Sequence, residues 1–137
     1  CDAELIRPVV DFARVVAEHH PVAIASGGPR LIVRRSLEIT GLAPLFPVVV
    51  TPEDVTHGKP SPDMFLLAAQ RMGVPPQECL VFEDAVPGMQ AAVAAGMVAA
   101  THSNIPDVVI GGAMAGLFIM SGWRILVTGR VDAGQLR

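Results

Sequence analysis

Ser26-Gly27-Gly28 joins a hydroxyl to two glycine amides, Lys59 stands in the stiff loop Gly58-Lys59-Pro60-Ser61-Pro62, and Glu83-Asp84 sets two carboxylates side by side. A hydroxyl with glycine N–H groups at a helix start can cradle an anion, a lysine can neutralise it, and adjacent carboxylates suit a hard cation such as Mg2+. Together these residue types are complementary to a phosphate with magnesium. Each also has an ordinary reading. Ser26 is a fitting cap for a helix opening at Pro29, and Lys59 taken alone reads as a solvated surface lysine. Glu83-Asp84 is harder to explain away, because neighbouring carboxylates after a buried strand repel unless a cation lies between them.

The elements that must position these clusters alternate along the chain. Apolar spacing predicts an amphipathic helix over residues 4–18, and the wholly apolar Val22-Ala-Ile-Ala25 reads as a short buried strand. A helix from Pro29 to about Thr40 follows, then a strand over Val48–Thr51, a helix from Asp63 to Met72 closed by Gly73, and a strand over Cys79–Phe82. An alanine-rich helix from Met89 to Ala95 and a strand over Met97–Thr101 complete the series. This alternation requires crossover connections, so the expected fold is α/β, a doubly wound and mostly parallel Rossmann-like sheet. Ligands of such sheets sit beyond the carboxyl ends of the strands, and all three clusters follow strands.

Composition narrows the functional classes. The chain has 137 residues, 51% hydrophobic and 17% charged, with a formal charge of −3, so it offers no basic surface for nucleic acid. Cys1 and Cys79 cannot form a disulfide framework, and Cys79 suits a buried, reduced thiol, as in the cytoplasm. Gly58-Lys59-Pro60-Ser61 imitates the end of a nucleotide-binding P-loop but lacks its details. Glu53 stands where the first glycine belongs, and Pro60 stands where the hydroxyl residue belongs. The histidines at 19, 20, 57 and 102 lack metal-ligand spacing. The opening Cys-Asp-Ala-Glu carries neither an initiator Met nor a secretory signal, which leads us to expect a fragment.

Val22-Ala-Ile-Ala-Ser26-Gly27, then Gly58-Lys59-Pro60-Ser61-Pro62-Asp63-Met64-Phe65, then Leu80-Val-Phe-Glu83-Asp84-Ala-Val-Pro-Gly88 occur in the order and spacing of a known family. They resemble the haloacid dehalogenase-like hydrolases, in the branch of β-phosphoglucomutase and sugar-phosphate phosphatases, over roughly residues 4–101. The resemblance implies a magnesium-dependent phosphomonoester hydrolase working through an aspartyl-phosphate on a small phosphorylated metabolite, a sugar phosphate. A phosphomutase of the same superfamily and a non-catalytic phosphate-binding remnant are the alternatives. It implies that Ser26 and Gly27 bind the phosphoryl group, that Lys59 pairs with nucleophile and phosphoryl oxygens, and that Asp84 and Glu83 hold Mg2+. Arg30 falls where some relatives place a substrate contact, although an exposed helix arginine explains it equally.

The departures from the family are as informative. Its nucleophile lies in an Asp-x-Asp motif ending a central first strand, followed by a cap domain. No two of the seven aspartates, at 2, 11, 54, 63, 84, 107 and 132, are separated by a single residue. Residues 1–101 therefore read as the C-terminal part of the core, with the sheet incomplete, missing the first central strand and leaving two buried edges unpaired. Such a chain is expected to fold poorly alone or to fill the gap with another segment. Residues 102–137 form an atypical apolar tail, with Val108–Trp123 free of charge but broken by glycines, which argues against a membrane span. Ile125–Thr128 is a candidate strand for the empty slot.

Overall fold

The computed structural model describes residues 7–83, 85–101 and 117–121. Helix α1 (Arg7–Ala17) precedes strand β1 (Val22–Ala25), helix α2 (Arg30–Ile39), strand β2 (Val48–Val50) and helix α3 (Asp63–Met72). Strand β3 (Cys79–Glu83), helix α4 (Val86–Ala94) and strands β4 (Val98–Thr101) and β5 (Leu117–Ser121) follow, with short 3₁₀ turns between several elements. The five strands form one parallel sheet in the order β2-β1-β5-β3-β4.

The two-residue period of a strand explains how one sheet serves two cores. β1 is buried at all four positions. Val22 and Ile24 join Val9, Val10 and Ala13 of α1 and Val33 and Leu37 of α2 on one face. Ala23 and Ala25 face the other way, where their small side chains admit Met64 and Phe65 of α3 beside Ala91 and Ala92 of α4. Phe12 of α1 meets Phe82 of β3 edge to face, with ring centroids 5.7 Å apart. Gly73, at φ 71°, ends α3 in the left-handed conformation that glycine adopts without a steric penalty.

Most expected elements are present, with α4 beginning earlier than expected. Pro87 does not delay that helix, because a first-turn proline has no intrahelical N–H to lose.

The expectation that another segment fills the slot of the absent first strand holds, and the expectation of two unpaired buried edges is corrected. β5 lies between β1 and β3, pairing Ile24 with Met120 and Glu83 with Ser121. Its Leu-Phe-Ile-Met run has the wholly apolar sequence pattern typical of strands in parallel sheets. The segment filling the slot is thus Leu117–Ser121 rather than Ile125–Thr128, which lies outside the described residues. Among the described residues no helix is long and apolar enough to cross a membrane.

Candidate functional site

The sequence-derived residues gather at the carboxyl ends of β1 and β3. Ser26 directly follows β1 and is 2% exposed; its N–H donates to the Val50 carbonyl at 2.9 Å. Its Oγ accepts the Gly28 N–H at 3.1 Å, which closes a tight turn over Gly27. Ser26 is therefore no cap for α2, whose N-terminal flank is Pro29 without a side-chain cap. Gly27 is exposed, and its N–H has no hydrogen-bond partner among the described residues. The turn thus presents a backbone donor to solvent beside a serine hydroxyl whose oxygen is already fixed.

Lys59 departs from the surface reading. Its side chain is 13% exposed, and Nζ donates to the Ala25 carbonyl at 3.1 Å and to Glu83 Oε2 at 2.9 Å. The ammonium also lies 5.0 Å from the centre of the Phe65 ring, a cation–π distance. One cation thereby joins the ends of β1 and β3. Glu83 is 2% exposed, with Oε1 accepting the Ala85 N–H at 3.1 Å just before α4. Gly88 in the first turn of α4 makes room for it, since a Cβ there would overlap the Glu83 carboxylate.

The sequence reading missed a second group of charges. Thr51, directly after β2, forms a capping box with Asp54: its N–H and Oγ donate to Asp54 Oδ2 at 2.9 and 3.2 Å. Asp54 Oδ1 meets Arg30 at 3.1 Å and Arg71 at 2.9 Å. Burial pushes the Asp54 carboxyl up, but the Thr51 N–H, the Arg71 guanidinium and the Thr51 hydroxyl outweigh it and hold the group below its ordinary value. Glu53 Oε1 accepts the Arg30 N–H at 3.0 Å, and that bond, followed by the Thr51 hydroxyl, lowers its carboxyl too. Arg30 is thus committed to the Pro52–Asp54 turn, tying the start of α2 to the end of β2. The Thr-Pro-Glu-Asp pattern was the available signal, as a hydroxyl residue three places before a carboxylate marks a capping box.

Asp63, with its partners His57 and Ser61, and Cys79 have settled roles away from the cluster. His57 Nδ1 lies 3.2 Å from Asp63 Oδ2 in the loop carrying Lys59, and Ser61 Oγ donates to Asp63 Oδ1 at 2.6 Å. Ser61 first, then His57, holds the Asp63 carboxyl below its ordinary value. Cys79 is buried and unpaired by disulfide, donating to the Pro75 carbonyl at 3.3 Å. Burial, with a smaller push from Glu78, raises its thiol to about 11.

The profile of the haloacid dehalogenase-like hydrolases matches residues 2–96. The chain belongs to that family. Within the haloacid dehalogenase-like hydrolases it sits in the branch of sugar-phosphate phosphatases and β-phosphoglucomutase. It is 48% identical over 90 residues to the fructose-1-phosphate phosphatase YqaB of Escherichia coli, covering 66% of this chain and 48% of that protein. It is 47% identical over 76 residues to hexitol phosphatase A of the same organism, covering 56% of this chain and 35% of that protein. A family hydrolase from Deinococcus radiodurans, solved with bound phosphate and sodium, superposes at a TM-score of 0.61 and 28% identity. That match covers 84% of this chain and 52% of the other. The chain thus spans about half the length of these relatives or less.

The described residues do not make a magnesium site. Among them no group of three or more His, Cys, Asp or Glu side chains is arranged to hold a metal. Both oxygens of Glu83 are engaged, one by Lys59 and one by the Ala85 N–H. Asp84, the direct ligand implied by the family resemblance, lies outside the described residues.

Proposed function

We propose that the whole protein hydrolyses a small sugar phosphate, and that this chain supplies the part of the site that binds the phosphoryl group. The observation that carries the reading is the Lys59 ammonium, held between the Ala25 carbonyl and the Glu83 carboxylate beside the Ser26-Gly27 turn. Its support from relatives is the phosphatase activity named for YqaB and hexitol phosphatase A.

A phosphoryl group in transfer spreads negative charge over its equatorial oxygens, and donors fixed beforehand stabilise that charge without reorganising. Ser26 would donate its hydroxyl proton to one oxygen while its Oγ stays anchored by Gly28, and the Gly27 N–H would donate to another. Lys59 would neutralise the group, with Glu83 keeping the ammonium in place. Magnesium, with Asp84 and Glu83 as ligands, is implied by the family resemblance alone.

A second reading, phosphate binding without catalysis by this chain, is favoured by the lack of any Asp-x-Asp pair in the sequence. Without a carboxylate nucleophile no aspartyl-phosphate forms. Calorimetric titration of inorganic phosphate, run beside a turnover assay with fructose 1-phosphate, tests both. Saturable phosphate binding weakened at least tenfold by Lys59→Ala is expected, without turnover. Undiminished binding by the variant would remove Lys59 from the site. Turnover abolished by Asp84→Ala would overturn the non-catalytic reading.

A further inference from the structure

At the β2 edge of the sheet, lined by neither Ser26 nor Lys59, a cleft of about 320 Å³ opens between α2, β2 and the end of α3. That volume lies at the lower end of the range for small-molecule sites, about 300–1,000 Å³. Its walls have two characters. Ala43, Pro47, Val48 and Val49 give an exposed or half-buried apolar lining, laid over the buried core residues Leu37 and Phe46. Arg34 and Arg71 line the same space as cations.

The charges around the cleft are unevenly committed. Arg71 donates to the Val49 carbonyl at 3.4 Å and to Asp54 at 2.9 Å, which leaves N–H groups of its five-donor guanidinium for another acceptor. The exposed Arg34 guanidinium has no hydrogen-bond or ion-pair partner among the described residues. Glu38, the acidic residue of the lining, is paired with Arg35 at 3.3 Å. The cleft therefore combines an apolar surface with a positive rim.

We propose that this cleft binds a small organic carboxylate with a flat apolar body, its carboxylate between Arg34 and Arg71 and its body against Ala43, Pro47 and Val49. Arginine suits that head group because its planar fork matches the two carboxylate oxygens, and the apolar walls reward a ring over an ion without one. The proposal stands apart from the phosphate site and does not depend on it.

Backbone amide shifts of the full chain, followed while benzoate is added, test it, with benzyl alcohol as the uncharged counterpart. Saturable shifts confined to the segments around Arg34–Glu38 and Phe46–Val49 are expected, with benzyl alcohol at least fivefold weaker. Arg34→Gln, an exposed helix substitution, should weaken benzoate at least fivefold without altering shift dispersion. Glu38→Gln should tighten it about twofold by removing a repelling charge. Non-saturating or scattered shifts, equal binding of benzyl alcohol, or unchanged affinity in both variants would overturn the proposal.

Discussion

Lys59 and Glu83 meet at 2.9 Å, in a pair whose lysine also holds the carbonyl of Ala25. Because β1 and β3 flank β5, this one ammonium joins the two strands on either side of the central one. Removing one partner of a buried pair leaves an uncompensated charge and typically costs about 3–5 kcal/mol. Lys59→Met should destabilise the chain by about 3 kcal/mol in urea melts. Adding Glu83→Gln should recover part of that loss, since the buried charge is then gone. A single variant as stable as the parent would show that the pair contributes nothing to the fold.

Alanine in place of glycine inside a helix ordinarily stabilises by about 1 kcal/mol. Gly88→Ala should do the reverse, because the new methyl group would occupy the space of the Glu83 carboxylate. Overpacking of this kind costs about 1–3 kcal/mol. A thermal melt shifted downward supports the tight approach of α4 to β3, and an upward shift contradicts it.

Asp54 ties together Thr51, Arg30 and Arg71, and its folded carboxyl lies below the ordinary value of 3.8. A depressed carboxyl contributes stability that is fully present above the unfolded value and is lost as pH falls through the folded one. Glu53 and Asp63 are lowered as well and add to the same trend. Stability should therefore hold through neutral pH and fall steadily below about pH 4. Asp54→Asn should lower the plateau by about 1–3 kcal/mol and flatten the acid slope. Denaturant midpoints measured from pH 7 down to pH 2.5 read both effects, and a parallel slope in the variant would remove Asp54 from the cause.

β5 pairs with β1 on one side and β3 on the other, Ile119 lying opposite both Ala23 and Val81. A proline there removes a ladder N–H from the middle of a central strand, a position where proline is essentially never found. Ile119→Pro should abolish the cooperative melt. Amides of β1 and β3 should then lose their protection from hydrogen exchange, whereas retention of that protection would mean that another segment fills the slot.

The parallel architecture was legible in the sequence because short apolar strands alternate with helices whose ends carry recognisable signals, such as Gly73 after α3. Ser26, Lys59 and Glu83 were legible for a related reason: each directly follows a strand or stands in a loop punctuated by proline. What escaped was contact between distant residues. Arg30, Asp54 and Arg71 converge across three separate elements, and no local pattern announces that two arginines share one carboxylate. β5 escaped for lack of periodicity, since a four-residue apolar run in a glycine-rich stretch reads alike as strand or loop. Gly88 stands just before the helix start expected at Met89, and only the position of Glu83 gives it a packing role.

The middle strand of the sheet is also the last of the five to be synthesised. Until Leu117–Ser121 arrives, β1 with β2 and β3 with β4 are two separate half-sheets, each holding an apolar edge open to whatever strand comes by. Contacts between such distant segments slow folding and lengthen the time during which those edges can capture the wrong neighbour. Joining the halves late makes yield during synthesis, rather than stability once formed, the quantity most exposed to chaperones, temperature and concentration.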